Sequence, residues 1–154
     1  MFRGGRPNRL AALVNRATAT LASRGLSPAR LVTLEVRGRR SGRTRSLPVV
    51  VTDWEGERYL VAMRGERSGW VRNVRAAGGQ AVLRHGRREA VRLDPVPPAA
   101  RPPILRRYLQ VAPGARAHIP VDRNAPVAAF EPIAADYPVF RLSAADPAGA
   151  SPPD

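Results

Sequence analysis

Five arginines, two glycines and a serine crowd into the nine residues Arg37-Gly38-Arg39-Arg40-Ser41-Gly42-Arg43-Thr44-Arg45. Guanidinium groups are planar, permanently charged and able to hold phosphate or carboxylate through paired N–H donors. Glycines let the backbone turn sharply and leave N–H groups open to an anion. By its chemistry the segment is an anion-binding hairpin. An exposed turn in an arginine-rich protein has the same composition, and the residues alone leave both readings open.

The rest of the chemical inventory is thin. There is no cysteine, which excludes disulfides, thiol catalysis and Cys-ligated zinc or iron–sulfur centres. The only histidines, His85 and His118, are far apart, so a histidine metal site is not expected. Lysine is absent, which removes Schiff-base chemistry. No G-x-S-x-G elbow, P-loop or G-x-G-x-x-G fingerprint occurs. A chain so short of nucleophiles and bases, if it is an enzyme, leaves the reaction to a bound cofactor.

Composition bounds the partners. All 26 basic residues are arginine, against 12 Asp and Glu, for a formal net charge of +14 over 154 residues. Ala, Gly, Pro and Arg make up about half of the chain. These types share GC-rich codons, so part of the arginine excess reflects codon bias rather than a polyanionic partner. Nucleic acid is the rival partner. Against it stand the absence of zinc-finger spacing and an aromatic content of 5%, not interleaved with the arginines as base stacking requires. The length suits one domain, and 44% hydrophobic residues can supply its core. No apolar run is long enough to span a bilayer, and Asn15 and Arg16 interrupt the only candidate for a secretory leader, so the expected location is the cytoplasm.

These side chains need elements to hold them. Residues 8–24 read as a helix with Leu10, Leu13, Val14, Ala17 and Leu21 on one face, between Asn8 as N-cap and Gly25 as stop. That helix packs on the domain or, as a basic amphipathic helix, touches a membrane surface. Period-two patterning then predicts a strand over 31–37, a turn over 38–43, a strand over 44–52, a hairpin loop over 53–57 and a strand over 58–63, forming an antiparallel meander. A short helix follows over 69–77, ended by Gly78-Gly79. A hairpin around Gly86 joins strands over 80–85 and 87–93, and the Pro-rich segment 94–98 breaks the sheet. A helix is expected from Pro102 or Pro103 to Gln110, a loop over 111–126, a helical piece near 127–135 and a last strand over 137–142. Residues 1–7 read as a flexible start, 8–142 as one domain and 143–154 as a disordered tail. The order suits an α+β, mainly β fold: a small antiparallel barrel with an N-terminal helix and two or three short helices.

Leu34-x-x-x-Gly38-Arg39-Arg40-Ser41-Gly42-x-x-Arg45-x-x-Pro48-Val49, followed by Tyr59-Leu60-Val61-Ala62 and then Trp70-x-x-Asn73-x-x-Ala76, resembles the deazaflavin-dependent nitroreductase family. The ending Tyr137-Pro138-Val139-Phe140 is similar to that family's last strand. The likeness runs over about residues 8–142 and is most specific over 34–83. It implies a split β-barrel of the flavin-binding type and coenzyme F420, a deazaflavin with a phosphodiester and an oligoglutamate tail; related barrels use FMN instead. It implies that Arg39, Arg40, Ser41, Gly42 and Arg45 hold the tail, that Pro48 begins the strand lining the ring, and that Met63, Arg64 and Gly65 form a loop near ring or phosphate. Trp70 and Asn73 match the short helix beside the cofactor, although a core role for Trp70 is equally open. It further implies hydride transfer to a small hydrophobic acceptor (a quinone, nitro compound or activated alkene), an acceptor pocket including Tyr108 and His118, no protein nucleophile, and a homodimer. A non-catalytic cofactor- or lipid-binding barrel is the alternative on the same fold. Two departures stand out. Met63 occupies a place where the nitro-reducing branch carries serine, and Ala112-Pro113-Gly114-Ala115 lacks that branch's tyrosines.

Overall fold

The computed structural model describes residues 30–145. The helix expected over 8–24 and the tail beyond Ala145 lie outside the described residues. Among those described, seven strands form one antiparallel sheet: β1 (Leu31–Arg37), β2 (Thr44–Val50), β3 (Thr52–Trp54), β4 (Glu57–Val61), β5 (Gln80–Arg84), β6 (Arg88–Pro95) and β7 (Val139–Ala144). Their spatial order is β2-β1-β5-β6-β7-β4-β3. The two outermost strands are consecutive in sequence, separated only by Val51. The sheet therefore curls until one bent segment, 44–54, lies along both of its edges, which is a barrel with a split between β2 and β4.

The meander expectation needs correcting at this bend. The second strand is not one ladder. Its first part pairs with β1, Leu31 opposite Val50 through Arg37 opposite Thr44. Its second part pairs with β4, Thr52 opposite Tyr59. Continuous β-branched residues hide the change, because the pattern of apolar positions does not record which neighbour a strand pairs with. The β3–β4 connection is a two-residue turn in which Glu55 (φ 49°) and Gly56 (φ 80°) are both left-handed. That is the turn form whose twist matches a tight hairpin. The sheet also runs through Pro95, opposite Phe140, rather than breaking at Asp94. Leu93 donates its N–H to Gly79 and Val96 donates to Val139. Position 95 therefore faces the β5 side, where the β5 ladder has already ended, and the missing N–H of proline costs nothing there. The last strand extends to Ala144, two residues past the expected domain end.

The barrel interior is filled by inward residues of alternate strand positions, including Val32, Leu34, Val36, Leu60, Leu83, Val91, Leu93, Phe140 and Leu142. Helix α1 (Gly69–Ala76) adds Val71 and Val74 to the same core. A second core lies outside β3 and β4. There α2 (Pro102–Val111) and a ten-residue 3₁₀ segment (Val127–Asp136) bury Leu105, Tyr108, Leu109 and Phe130. Pro132 inside that segment has no N–H to give an α-helical ladder, consistent with the 3₁₀ form.

Arginine does structural work in this second core. Arg101, buried, donates from Nε to the carbonyl of Val96 (2.8 Å) and from Nη1 to that of Ala134 (3.0 Å). Arg116 donates to the carbonyls of Leu109 (2.9 Å) and Gln110 (3.3 Å), satisfying the open end of α2 where no glycine cap follows.

Candidate functional site

The β1–β2 connection, residues 38–43, is the predicted anion hairpin. The Gly38 N–H donates to Arg43 (2.7 Å) and the Gly42 N–H to Gly38 (2.9 Å), closing the turn. Gly42 sits at φ 74°, which a side chain would strain. A Cβ on Gly38 would lie 3.0 Å from both the Arg43 carbonyl and Ser41 Oγ, and 3.4 Å from Arg45 Nε. Its absence lets Arg45 fold back over the turn. Ser41 Oγ accepts from the Arg43 N–H (3.1 Å). The N–H groups of Arg40 and Ser41 find no acceptor among the described residues. A depression of about 330 Å³ lies over this turn, bounded by Arg39, Arg40, Ser41, Gly42 and the end of α1 at Ala76 and Ala77.

A second feature, a cleft of about 410 Å³, follows the split in the barrel. One wall is β2 from Leu47 to Val50. Facing it are Val61 at the end of β4 and Met63 and Arg64 just after it, then Ser68, Gly69 and Trp70 at the start of α1, with Tyr108 from α2 and Ala112 just past its end. Residues from both faces of β2 line it, so the cleft runs along that strand's unpaired edge. Val51 N–H bonds to Arg30 and the Arg43 carbonyl to Gly38, both on the β1 side. Strand alternation then turns the backbone groups of the even residues 46, 48 and 50 toward the cleft. Pro48 falls on an even position, where its lack of an N–H breaks no ladder bond and blunts an open edge.

Arg39 connects the two features. Its backbone N–H and its Nη1 both donate to Asn73 Oδ1, at 3.0 and 2.9 Å, and Nη1 lies 3.5 Å from the carbonyl of Gly69 on the cleft wall. Asn73 itself is buried on α1. Trp70 lines the cleft and also tilts against Phe140, ring centroids 5.7 Å apart at 58°, so it is both a cleft wall and a core anchor. Gly65, buried at φ 79°, would place a Cβ 3.0 Å from the Asp136 carbonyl. Only glycine lets the loop carrying Arg64 turn there.

The structure thus gathers Pro48, Met63, Arg64, Trp70 and Tyr108 around one cleft, and Arg39, Arg40, Ser41 and Gly42 around the adjoining hairpin. Arg45 folds over the turn. Gly65 supports the Arg64 loop from below, and Asn73 is a clamp on Arg39 with its acceptor oxygen already engaged. His118 is not in the cleft. It borders a neighbouring depression of about 520 Å³ that shares Met63 and Arg64 with it, and its carbonyl accepts from the Tyr137 hydroxyl (3.0 Å). Burial pushes the Tyr108 hydroxyl up from its ordinary value, so it stays protonated. The open edge of β2 was the part that sequence reasoning missed. The proline inside an apparent strand is the signal that marks it.

The described residues hold no group of acidic or histidine side chains able to bind a metal ion. None of their helices is long and apolar enough to cross a membrane.

The model of the F420H(2)-dependent quinone reductase family matches residues 8–132. The chain belongs to that family. It is an oxidoreductase whose cofactor is coenzyme F420. No curated protein matches the chain. Among solved structures it is similar to the protein Atu2129 of unknown function from Agrobacterium tumefaciens str. C58, with a TM-score of 0.55 and 16% identity over 75% of this chain. It spans 48% of that protein's length. It is also similar to an F420-H2 dependent reductase, FDR-A (TM-score 0.51, 16% identity, 74% of this chain and 94% of that one). A NimC/NimA family protein from Clostridium acetobutylicum gives a TM-score of 0.52 at 12% identity, over 84% of this chain and 81% of that one. At these identities the structural likeness establishes the split-barrel fold.

The donor set fits the family's cofactor. A largely apolar cleft beside an open strand edge suits a ring system. The hairpin, with two open backbone N–H groups among arginines, suits a phosphodiester and carboxylates.

Proposed function

We propose that the protein reduces a small hydrophobic acceptor, a quinone, nitro compound or activated alkene, with F420 lying in the β2 cleft and its acidic tail on the hairpin. The observation that carries this reading is the joining of the apolar cleft to the arginine turn by Arg39. Bound reduced F420 supplies a hydride. The residues supply position and exclusion of water. Arg39, Arg40 and Arg45 neutralise the tail, and the open N–H groups of Arg40 and Ser41 add donors to it. Pro48 and Val50 present the backbone edge of β2 to the ring, and Trp70 and Met63 close the apolar walls. Tyr108 and Arg64 are the polar side chains best placed to meet an acceptor oxygen as charge develops on it. The cleft is shared between ring and acceptor, so a compact, flat acceptor is favoured over a bulky one. No protein nucleophile is needed, in keeping with the empty inventory of catalytic side chains.

Titration of the purified protein with reduced F420, followed by menadione, tests this. Saturable micromolar binding with menadione-dependent reoxidation is the expected result. Binding without turnover on a panel of quinones, nitro compounds and enones replaces the reading with a non-catalytic carrier. Failure to bind F420 overturns it.

A further inference from the structure

Beside the cleft lies the depression of about 520 Å³ that His118 borders. Met63 and Arg64 line both spaces, so the two adjoin. The depression shares no lining residue with the one over the arginine hairpin. Size gives it a purpose. The cleft, at about 410 Å³, lies near the lower end of the roughly 300–1,000 Å³ that one drug-sized ligand occupies. A ring system and an acceptor together need more room, and the depression is the adjoining space.

Its chemistry differs from that of the apolar cleft. Arg64, Arg67 and His118 border it, with Glu66 and Asp136. The acids count for less than their number. Arg75, outside the depression, donates to both carboxylate oxygens of Glu66, so that charge is already balanced. Asp136 remains, exposed and without an ion pair among the described residues. Against it stand Arg64 and Arg67, both exposed, with no hydrogen-bond acceptor among the described residues. The Tyr137 hydroxyl, donating to the His118 carbonyl at 3.0 Å, ties residue 118 to the side of the depression. The His118 ring has no partner among the described residues, and an imidazole offers a donor in either charge state. The balance is positive. Guanidinium and imidazole donors without partners suit one planar carboxylate.

We propose that this depression is a subsite for a carboxylate carried by the acceptor. The favoured acceptor is then a flat apolar head with a short carboxylate arm, rather than a wholly apolar molecule. The head lies in the cleft. The arm passes Met63, pairs with Arg67 and accepts from His118. This inference rests on the reductase reading of the cleft. The arm is a binding handle and takes no part in the redox step.

The probes are a 1,4-naphthoquinone bearing a propionate arm and the same quinone as its primary amide, which keeps the shape and loses the charge. Equilibrium dialysis of the full-length protein, with and without saturating oxidised F420, measures their binding. Turnover with reduced F420 gives kcat and KM. The carboxylate probe is expected to bind about fivefold more tightly than the amide, with the difference in KM rather than kcat. Arg67→Ala is expected to bring the two probes within about twofold of each other and to leave menadione kinetics unchanged. Asp136→Asn acts in the opposite sense and is expected to tighten the carboxylate probe about twofold. Arg87 lies on the β5–β6 turn, at the other end of β6 from the Pro95–Phe140 pair that precedes this region. Arg87→Ala removes the same charge from the molecule and is expected to leave the preference intact.

Equal binding of the two probes, a full preference retained in Arg67→Ala, or an equal loss in Arg87→Ala overturns the subsite. A loss of F420 affinity in Arg67→Ala also overturns it, because that arginine then serves the cofactor. The reductase reading fails separately. Menadione turnover without the carboxylate preference removes the subsite alone. An Arg67-dependent preference without menadione turnover keeps the subsite and removes the reading. Thermal melts of each variant confirm that a lost signal is not a lost fold.

Discussion

Asn73 Oδ1 accepts two hydrogen bonds from a single residue, the backbone N–H of Arg39 at 3.0 Å and its guanidinium Nη1 at 2.9 Å. One buried carboxamide thereby fixes both the path of the hairpin backbone and the direction of its leading arginine. The donors have no alternative partner of equal quality, since Nη1 reaches the Gly69 carbonyl only at 3.5 Å. Asn73→Ala is expected to cost about 1–2 kcal/mol of stability, the loss of two part-buried hydrogen bonds, one of them to a charged donor. It is also expected to weaken F420 binding about tenfold, because the loop is no longer pre-organised. Asn73→Asp keeps the acceptor and is expected to retain affinity. Melting temperature and F420 fluorescence titration separate the two effects.

This pairing shows what can be read in the chain and what cannot. The hairpin was legible because glycine at sharp turns and arginine in a cluster are local signals. Trp70 and Asn73 were legible as neighbours of the hairpin only through the family likeness, since nothing local connects position 39 to position 73. The bend at Val51 was hidden because both halves of 44–54 have strand composition. Arg101 and Arg116 were hidden for another reason. In a chain with 26 arginines, two that satisfy buried carbonyls look no different from those on the surface. Glu35 likewise followed the period-two pattern of β1, and only the fold revealed that its face of the sheet is buried at that point.

Arg40 makes no hydrogen bond to the described residues and is exposed at the tip of the hairpin. Its side chain is therefore free to meet an anion without giving up an internal contact. Arg40→Ala is expected to weaken F420 binding by about 1–3 kcal/mol, with a shallower salt dependence, and to leave the melting temperature unchanged. A deazaflavin lacking phosphate and tail is expected to bind the variant and the wild type equally. Equal loss for both ligands moves Arg40 from the tail to the ring.

Gly65 supports the loop that carries Arg64 to the cleft. Its φ of 79° and the 3.0 Å approach of a would-be Cβ to the Asp136 carbonyl act together. The first strains any side chain and the second gives it no room. Gly65→Ala is expected to destabilise the fold by about 1–3 kcal/mol. The acceptor KM should rise more than the F420 dissociation constant, since the loop lies beside the cleft and away from the hairpin.

Arg101 has carbonyls rather than a carboxylate as its nearest partners, and its burial lowers its pKa from the ordinary arginine value. It ties the end of β6 to the 3₁₀ segment, two parts of the chain with no strand pairing between them. Arg101→Met fills most of the volume but leaves the Val96 carbonyl unmet and the Ala134 carbonyl with only the Tyr137 N–H at 3.4 Å. The expected loss is about 2–4 kcal/mol, measured by denaturant unfolding. Arg101→Lys reaches fewer acceptors and is expected to recover only part of it.

The Arg58–Glu89 pair gives the fold a defined response to acid. Arg58 donates from Nη1 and Nη2 to the two oxygens of Glu89 at 3.1 and 2.8 Å, tying β4 to β6 across the intervening β7. This fork holds the Glu89 carboxyl below the usual glutamate range, against a smaller opposing effect of burial, and His85 lies 3.4 Å from the same carboxylate. A folded-state pKa below the unfolded one means that the folded protein holds the proton less tightly. The stabilisation is therefore fully present above the unfolded value, about 4.3, and is lost as the pH falls through the folded one. Arg58 is 38% exposed, so solvent screening limits the contribution to about 1 kcal/mol. Glu89→Gln is expected to be less stable than the wild type by about that amount at neutral pH. The gap should close on acidification below about pH 4.3, where the wild type loses the same interaction. Urea unfolding of both proteins across that range measures the gap directly, and a difference that stays constant with pH assigns the effect of the substitution to packing instead.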